Sequence, residues 1–128
     1  MIKIGFLLSS LLFTFFTPTQ EDILASIAVA MKAGSSKELI KFCNTNIEIK
    51  VDGKASNYSI AQAEVVLKDF FLKNPPKGFQ YIHQGSSPEG LKYTIGTYSL
   101  EEGSYRVVMV VKKVKNEFKI DTINFSRE

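Results

Sequence analysis

The 128-residue chain holds one cysteine, one histidine and no tryptophan. A lone cysteine, Cys43, excludes an internal disulfide, so the hydrophobic core must hold the fold. A lone histidine, His83, leaves no Cys/His cluster with metal-ligand spacing, and no glycine-rich phosphate loop is present. No metal or cofactor is expected. Excess charge of one sign is also lacking: 16 basic residues face 13 acidic ones, for a net charge of +3. That is far from the basic footprint of a nucleic-acid binder. Long apolar runs are missing as well, except at the N-terminus.

There, Lys3 is the only charge before Glu21, and Ile4 to Phe16 is apolar but for Ser9, Ser10 and Thr14. This is the pattern of a signal peptide, and the run is too short for a stable membrane span. Thr17-Pro18-Thr19 supplies a small-x-small site, so cleavage is expected after Thr19. No cysteine follows the apolar run to accept a lipid. Residues 1–19 are thus read as a signal peptide and residues 20–128 as one domain of 128 − 19 = 109 residues, a usual single-domain size. Loss of Lys3 leaves 15 basic against 13 acidic residues, a net charge of +2. The expected product is periplasmic or extracellular, with no stable membrane insertion.

Glu21 to Ala33 reads as a helix with Ile23, Leu24, Ile27, Ala30 and Met31 on one face, stopped by Gly34. Ser35 to Glu38 has capping-box spacing and opens a short helix carrying Leu39, Ile40, Phe42 and Cys43. Asn46 to Val51 alternates with period two as a strand, ended by a turn at Asp52-Gly53. Ser59 to Gln62 repeats the capping-box logic before the longest helix, Ile60 to Lys73, which Asn74-Pro75-Pro76 terminates. Its stripe is Ile60, Ala63, Val66, Leu67, Phe70 and Phe71; Val65 and Leu72 fall outside it and need cover from the helical corner or from a second subunit. Four strands follow: Phe79 to Gln84, Leu91 to Leu100, Ser104 to Val114 and Glu117 to Phe125. Their short connections make an antiparallel meander. Val107 to Val111 is apolar on both faces, which places that strand centrally. Gly96 and a phase slip between Ile120 and Ile123 signal bulges.

The expected class is therefore α+β: three helices and one early strand, then a curved four-stranded antiparallel meander around the third helix. This order resembles the cystatin-like cone shared by nuclear transport factor two and ketosteroid isomerase. The chain is also similar to a family of exported bacterial proteins known only as a domain of unknown function. The residues carrying this are Tyr58-Ser59 with Gln62-Ala63-Glu64, Asp69-Phe70-Phe71, His83-Gln84-Gly85-Ser86, Tyr93-Thr94-Ile95-Gly96 and Gly103-Ser104-Tyr105-Arg106-Val107. The resemblance implies a fold, a ligand pocket in the cone and sheet-to-sheet homodimers, but no catalytic residues.

Within that frame, His83 shares strand parity with Phe79 and Tyr81 unless a bulge intervenes. It is either the best acid–base candidate or, the favoured reading, a partly exposed strand-end histidine at the rim of the cone with a local hydrogen bond. Asp121 is the one acid that could reach it, and the nearby slip leaves its direction open. Tyr58, Tyr81 and Tyr93 offer hydroxyls to a ligand, and Arg106 could bind an anion or lie on the surface. Asp69 falls off the apolar stripe and pairs with Lys73; Cys43 reads as a core thiol. The favoured function is a non-catalytic binding or protein-interaction module for a small apolar ligand or a protein partner. The alternative is a small isomerase- or dehydratase-like enzyme using His83 with Asp121 or a tyrosine. A deep cavity with His83 and an acid convergent would favour the enzyme; a cone filled by side chains would favour the module.

Overall fold

The computed structural model describes residues 20–128; the expected signal peptide, residues 1–19, lies outside them. Helix α1, Gln20–Ala33, buries Leu24, Ile27, Ala30 and Met31. It stops at Gly34, whose φ of 61° is the left-handed conformation that a residue without Cβ adopts freely. The Gly34 and Ser35 amides then donate to the carbonyls of Met31 and Ala30, both at 3.1 Å. Ser35 caps the short helix α2, Ser36–Leu39, by accepting from the Glu38 amide at 3.2 Å. A single 3-10 turn, Ile40–Phe42, completes the corner. Cys43, expected on the short helix with its apolar neighbours, instead opens the first strand.

That strand, β1 (Cys43–Val51), turns through Asp52 and Gly53, whose φ values of 48° and 88° match a two-residue hairpin. A second strand, β2 (Lys54–Ser59), returns antiparallel to it, with Ile47 opposite Tyr58. Helix α3, Ile60–Lys73, follows directly. Its capping box is complete: the Ser59 hydroxyl accepts from the Gln62 amide and the Gln62 carboxamide accepts from the Ser59 amide. Strands β3 (Gly78–Ser86), β4 (Lys92–Ser99), β5 (Ser104–Val114) and β6 (Glu117–Arg127) form the antiparallel meander.

The sheet is six-stranded, in the order β2-β1-β6-β5-β4-β3, and mixed, because β1 runs parallel to β6. The expectation of one early strand and a four-stranded antiparallel meander is corrected to a six-stranded mixed sheet with two early strands. The missed strand β2, Lys-Ala-Ser-Asn-Tyr-Ser, is exposed at every residue but Tyr58. An edge strand that buries almost nothing has no apolar alternation to detect.

The inner face of the sheet and the helices enclose the core, with Ile47 and Ile49 from β1, Val107, Met109 and Val111 from β5, and Ile120, Ile123 and Phe125 from β6. α3 contributes Ala63, Leu67, Phe70 and Phe71; Ile60 and Val66 are partly buried. Phe70 is the hub of an aromatic cluster. Its ring centroid lies 4.1 Å from Phe125, 5.1 Å from Tyr105 and 5.6 Å from Tyr98. Val65 and Leu72 are about two-thirds exposed, at 67% and 71%. Neither the helical corner nor any other described element covers them.

Candidate functional site

Two bulges decide where the candidate residues point. On β3, Tyr81 pairs with Gly96 but His83 pairs with Ile95, so Ile82 is the extra residue. Gly96 is required here by close approach: a Cβ at this position would lie 2.6 Å from the tip of the Phe79 ring and 3.2 Å from the Gln80 carbonyl. On β6, Thr122 pairs with Val110 and Ile120 with Val111, which leaves Asp121 as the extra residue. The phase slip in the sequence marks this second bulge.

The Ile82 bulge overturns the parity that aimed His83 inward. Phe79 and Tyr81 stay on the inner face, whereas His83 is exposed beside Ile95 on the outer face. Its imidazole makes no hydrogen bond among the described residues. Asp121 does not reach it either. The Asp121 carboxylate instead pairs with the Lys112 ammonium at 3.2 Å, across the two central strands β5 and β6. The structure does not bring together the one histidine and the one acid offered as its partner.

The tyrosines are distributed, not convergent. The Tyr81 hydroxyl donates to the Leu24 carbonyl of α1 at 2.8 Å, and burial pushes its phenol pKa well above the ordinary range. Buried Tyr98 likewise donates to the Asn74 carbonyl beyond α3, and its pKa is raised by the same cause. Both rings tie helices to the sheet. Tyr93 is on the outer face, 40% exposed. Half-buried Tyr58 faces inward at the β2 edge. Arg106 is on the outer face, where its guanidinium donates to the Glu128 carboxylate at 3.0 Å.

The interior position that a pocket would occupy is filled by Phe70, Phe71, Tyr98, Tyr105 and Phe125. Cys43 is buried too; its thiol donates to the Leu39 carbonyl at 3.5 Å. Burial pushes its pKa up to about 12, against a smaller opposing pull from the Lys119 ammonium. Among the described residues, no group of three His, Cys, Asp or Glu side chains is placed to hold a metal.

The concave features among the described residues include open grooves on the surface. One, of about 390 Å³, lies between α1 and β3 and is lined by Leu24, Ala25, Ala28, Tyr81 and Gln84. Another, of about 400 Å³, lies between β2 and α3 and is lined by Tyr58, Ala61, Gln62, Val65 and Val66. Of the α3 residues here, Val65 is one that the sequence marks as needing cover, whereas Ala61 carries no such signal. The outer sheet face also carries an apolar block. Tyr93 faces Val110 across β4 and β5, Ile95 faces Val108, and Ile82, 58% exposed, projects from the bulge beside them. The inner-face residue Thr94 has no exposed surface, and its hydroxyl has no partner among the described residues.

Comparison with known proteins matches this geometry to solved structures and to one family. A DUF4783 family protein from Bacteroides ovatus shares 33% identity, with 81% of this chain and 94% of that one covered and a TM-score of 0.77. A second, from Bacteroides fragilis, shares 25% identity over 80% of this chain and 96% of that one, with a TM-score of 0.76. An NTF2-like protein of unknown function from Shewanella baltica, 10% identical, covers 84% of this chain and 90% of its own, with a TM-score of 0.65. That likeness is one of fold alone. No curated protein matches the chain. The family model described as a domain of unknown function, DUF4783, matches residues 24–126, and the chain belongs to that family, with an NTF2-like cone fold.

Proposed function

We propose that the domain is an exported, non-catalytic interaction module that works through its surfaces. The observation that carries this reading is the aromatic cluster around Phe70, which fills the cone where a reacting substrate would have to sit. General acid–base catalysis requires a titrating group beside an open cavity and within hydrogen-bond reach of its partner. Among the described residues no acid pairs with His83 and neither groove above is lined by it, which disfavours the isomerase- or dehydratase-like alternative. The apolar block of Tyr93, Ile95, Val108 and Val110 supports an interaction role, since contiguous exposed apolar surface marks contact sites. A second copy of the chain, face to face, is the proposed occupant of that block. Export rests on the N-terminal apolar run, and secreted material should begin near Gln20.

The test is hydrogen–deuterium exchange of enolisable ketones in D2O, followed by NMR, with the protein and its His83→Ala variant. No exchange above buffer is expected with either. Exchange that disappears in His83→Ala would overturn the reading. Sedimentation of Val108→Lys should show loss of dimer relative to the parent chain; an unchanged association state would remove the sheet-face pairing.

A further inference from the structure

We infer that the open edge of β2, together with the groove between β2 and α3, is a docking site for an extended peptide segment of a partner protein. β2 has β1 on one side and no strand on the other among the described residues. It pairs with β1 without a bulge from Lys54 to Ser59 and contains no proline, so its free side presents a regular row of unpaired backbone groups. Such a row, otherwise met by water, is a ready template for another extended chain. The inner-facing side chain of β2 nearest the groove is Tyr58. Across from it, Ala61, Val65 and Val66 of α3 form an uncharged wall, and Val65 is 67% exposed.

A strand added to this edge would send alternate side chains into the groove. The residue opposite Tyr58 enters between Tyr58 and Val65, where an apolar side chain fits. The residue opposite Lys54 lies 58 − 54 = 4 positions away. Lys54 is exposed and has no carboxylate partner among the described residues, so an acidic side chain complements it there. The recognised element is therefore an extended segment with an apolar and an acidic residue four positions apart.

A second copy of β2 suits the groove less well. Residues facing one another across a continued sheet must point to the same face. The two in-phase antiparallel registers that pair five residues of β2, 55–59 or 54–58 with themselves, put Ser56 or Lys54 opposite Tyr58. Neither fills an apolar groove. The register that sets Tyr58 against itself pairs only three residues. The inference rests on the interaction-module reading and deepens it by naming the partner's chemistry.

The test is selection of random peptides displayed on phage against the purified protein, then titration of enriched peptides against variants. Val65→Glu places a charge in the groove from an exposed position. Ser56→Pro and Asn57→Pro block adjacent edge positions, one of which must face outward, and circular dichroism checks that each variant folds. Val29→Glu, on the exposed face of α1, is the control. Enriched peptides should carry the apolar and acidic residues four positions apart. Binding should weaken roughly tenfold or more in Val65→Glu and in a folded proline variant, with no change in Val29→Glu. Failure to enrich any peptide, or equal binding to Val65→Glu, would overturn the site. So would a dimer of the parent chain that Val65→Glu dissociates, since the occupant would then be a second copy. None of these results touches the ketone-exchange test, so the two readings fail separately.

Discussion

Thr94 sits on the inner face of β4 with its hydroxyl buried and unpartnered, an arrangement that costs free energy because water has been removed and nothing replaces it. Thr94→Val keeps the shape and removes the unsatisfied group. Chemical denaturation should show the variant more stable by roughly 1–2 kcal/mol. A loss of stability would mean that the hydroxyl is bonded in the folded protein, and the inner face of β4 would then become a ligand site to search. His83 illustrates the same scale from the opposite direction. Its residue type made it the natural acid–base candidate, yet one extra backbone residue, Ile82, turns it to solvent. Nothing in the local string Tyr-Ile-His-Gln marks that bulge. The shift is visible only in the pairing with the neighbouring strand, next to Gly96, which leaves room for the Phe79 ring.

Among the elements, α3 was the most legible, because capping chemistry, a three-and-four apolar spacing and terminal prolines all agree on its limits. Its phase makes a paired prediction. Phe70→Ala removes the hub of the aromatic cluster and should cost about 3–5 kcal/mol in denaturant unfolding. Asp69→Ala, one residue earlier, removes an exposed pair with Lys73 at 2.9 Å and should cost less than about 1 kcal/mol. Equal losses would contradict the phase of the helix. β2 was illegible for the opposite reason. Its strand character comes from hydrogen bonds to β1, and its side chains, exposed except for Tyr58, carry no pattern. β5 lies between β4 and β6 as its apolar run implied, but its outer residues Val108 and Val110 are only partly covered. The run of valines thus encodes both a core face and the surface block.

At the scale of the whole molecule, burial of titratable groups sets the alkaline limit of stability. Cys43 ionises near 9.0 in an ordinary setting but only near about 12 when folded. The unfolded chain therefore loses this proton first. The stabilising contribution is complete below pH 9 and declines as pH rises through the window from 9 to 12. Tyr81 and Tyr98, both raised by burial, add to the decline above their ordinary value of 10.0. Unfolding free energy measured against pH should fall in this range, and Cys43→Ala should ease the slope by roughly 1.4 kcal/mol per pH unit. An unchanged slope would place the thiol in contact with water.

The sequence by itself determined the class of fold, the three helices, the meander and the core stripe of α3, because caps, turns and apolar periodicity are local properties that neighbouring residues enforce together. It also marked the Asp121 bulge, since a slip in apolar phase is written along one strand. Tertiary structure alone decided that β1 joins β6 in parallel, that a polar segment serves as the edge strand β2, and that His83 faces outward. Each of these depends on which distant strand supplies the hydrogen bonds and how much room its side chains leave. Pairing across the sheet is a relation between residues far apart in the chain, and local pattern does not contain it.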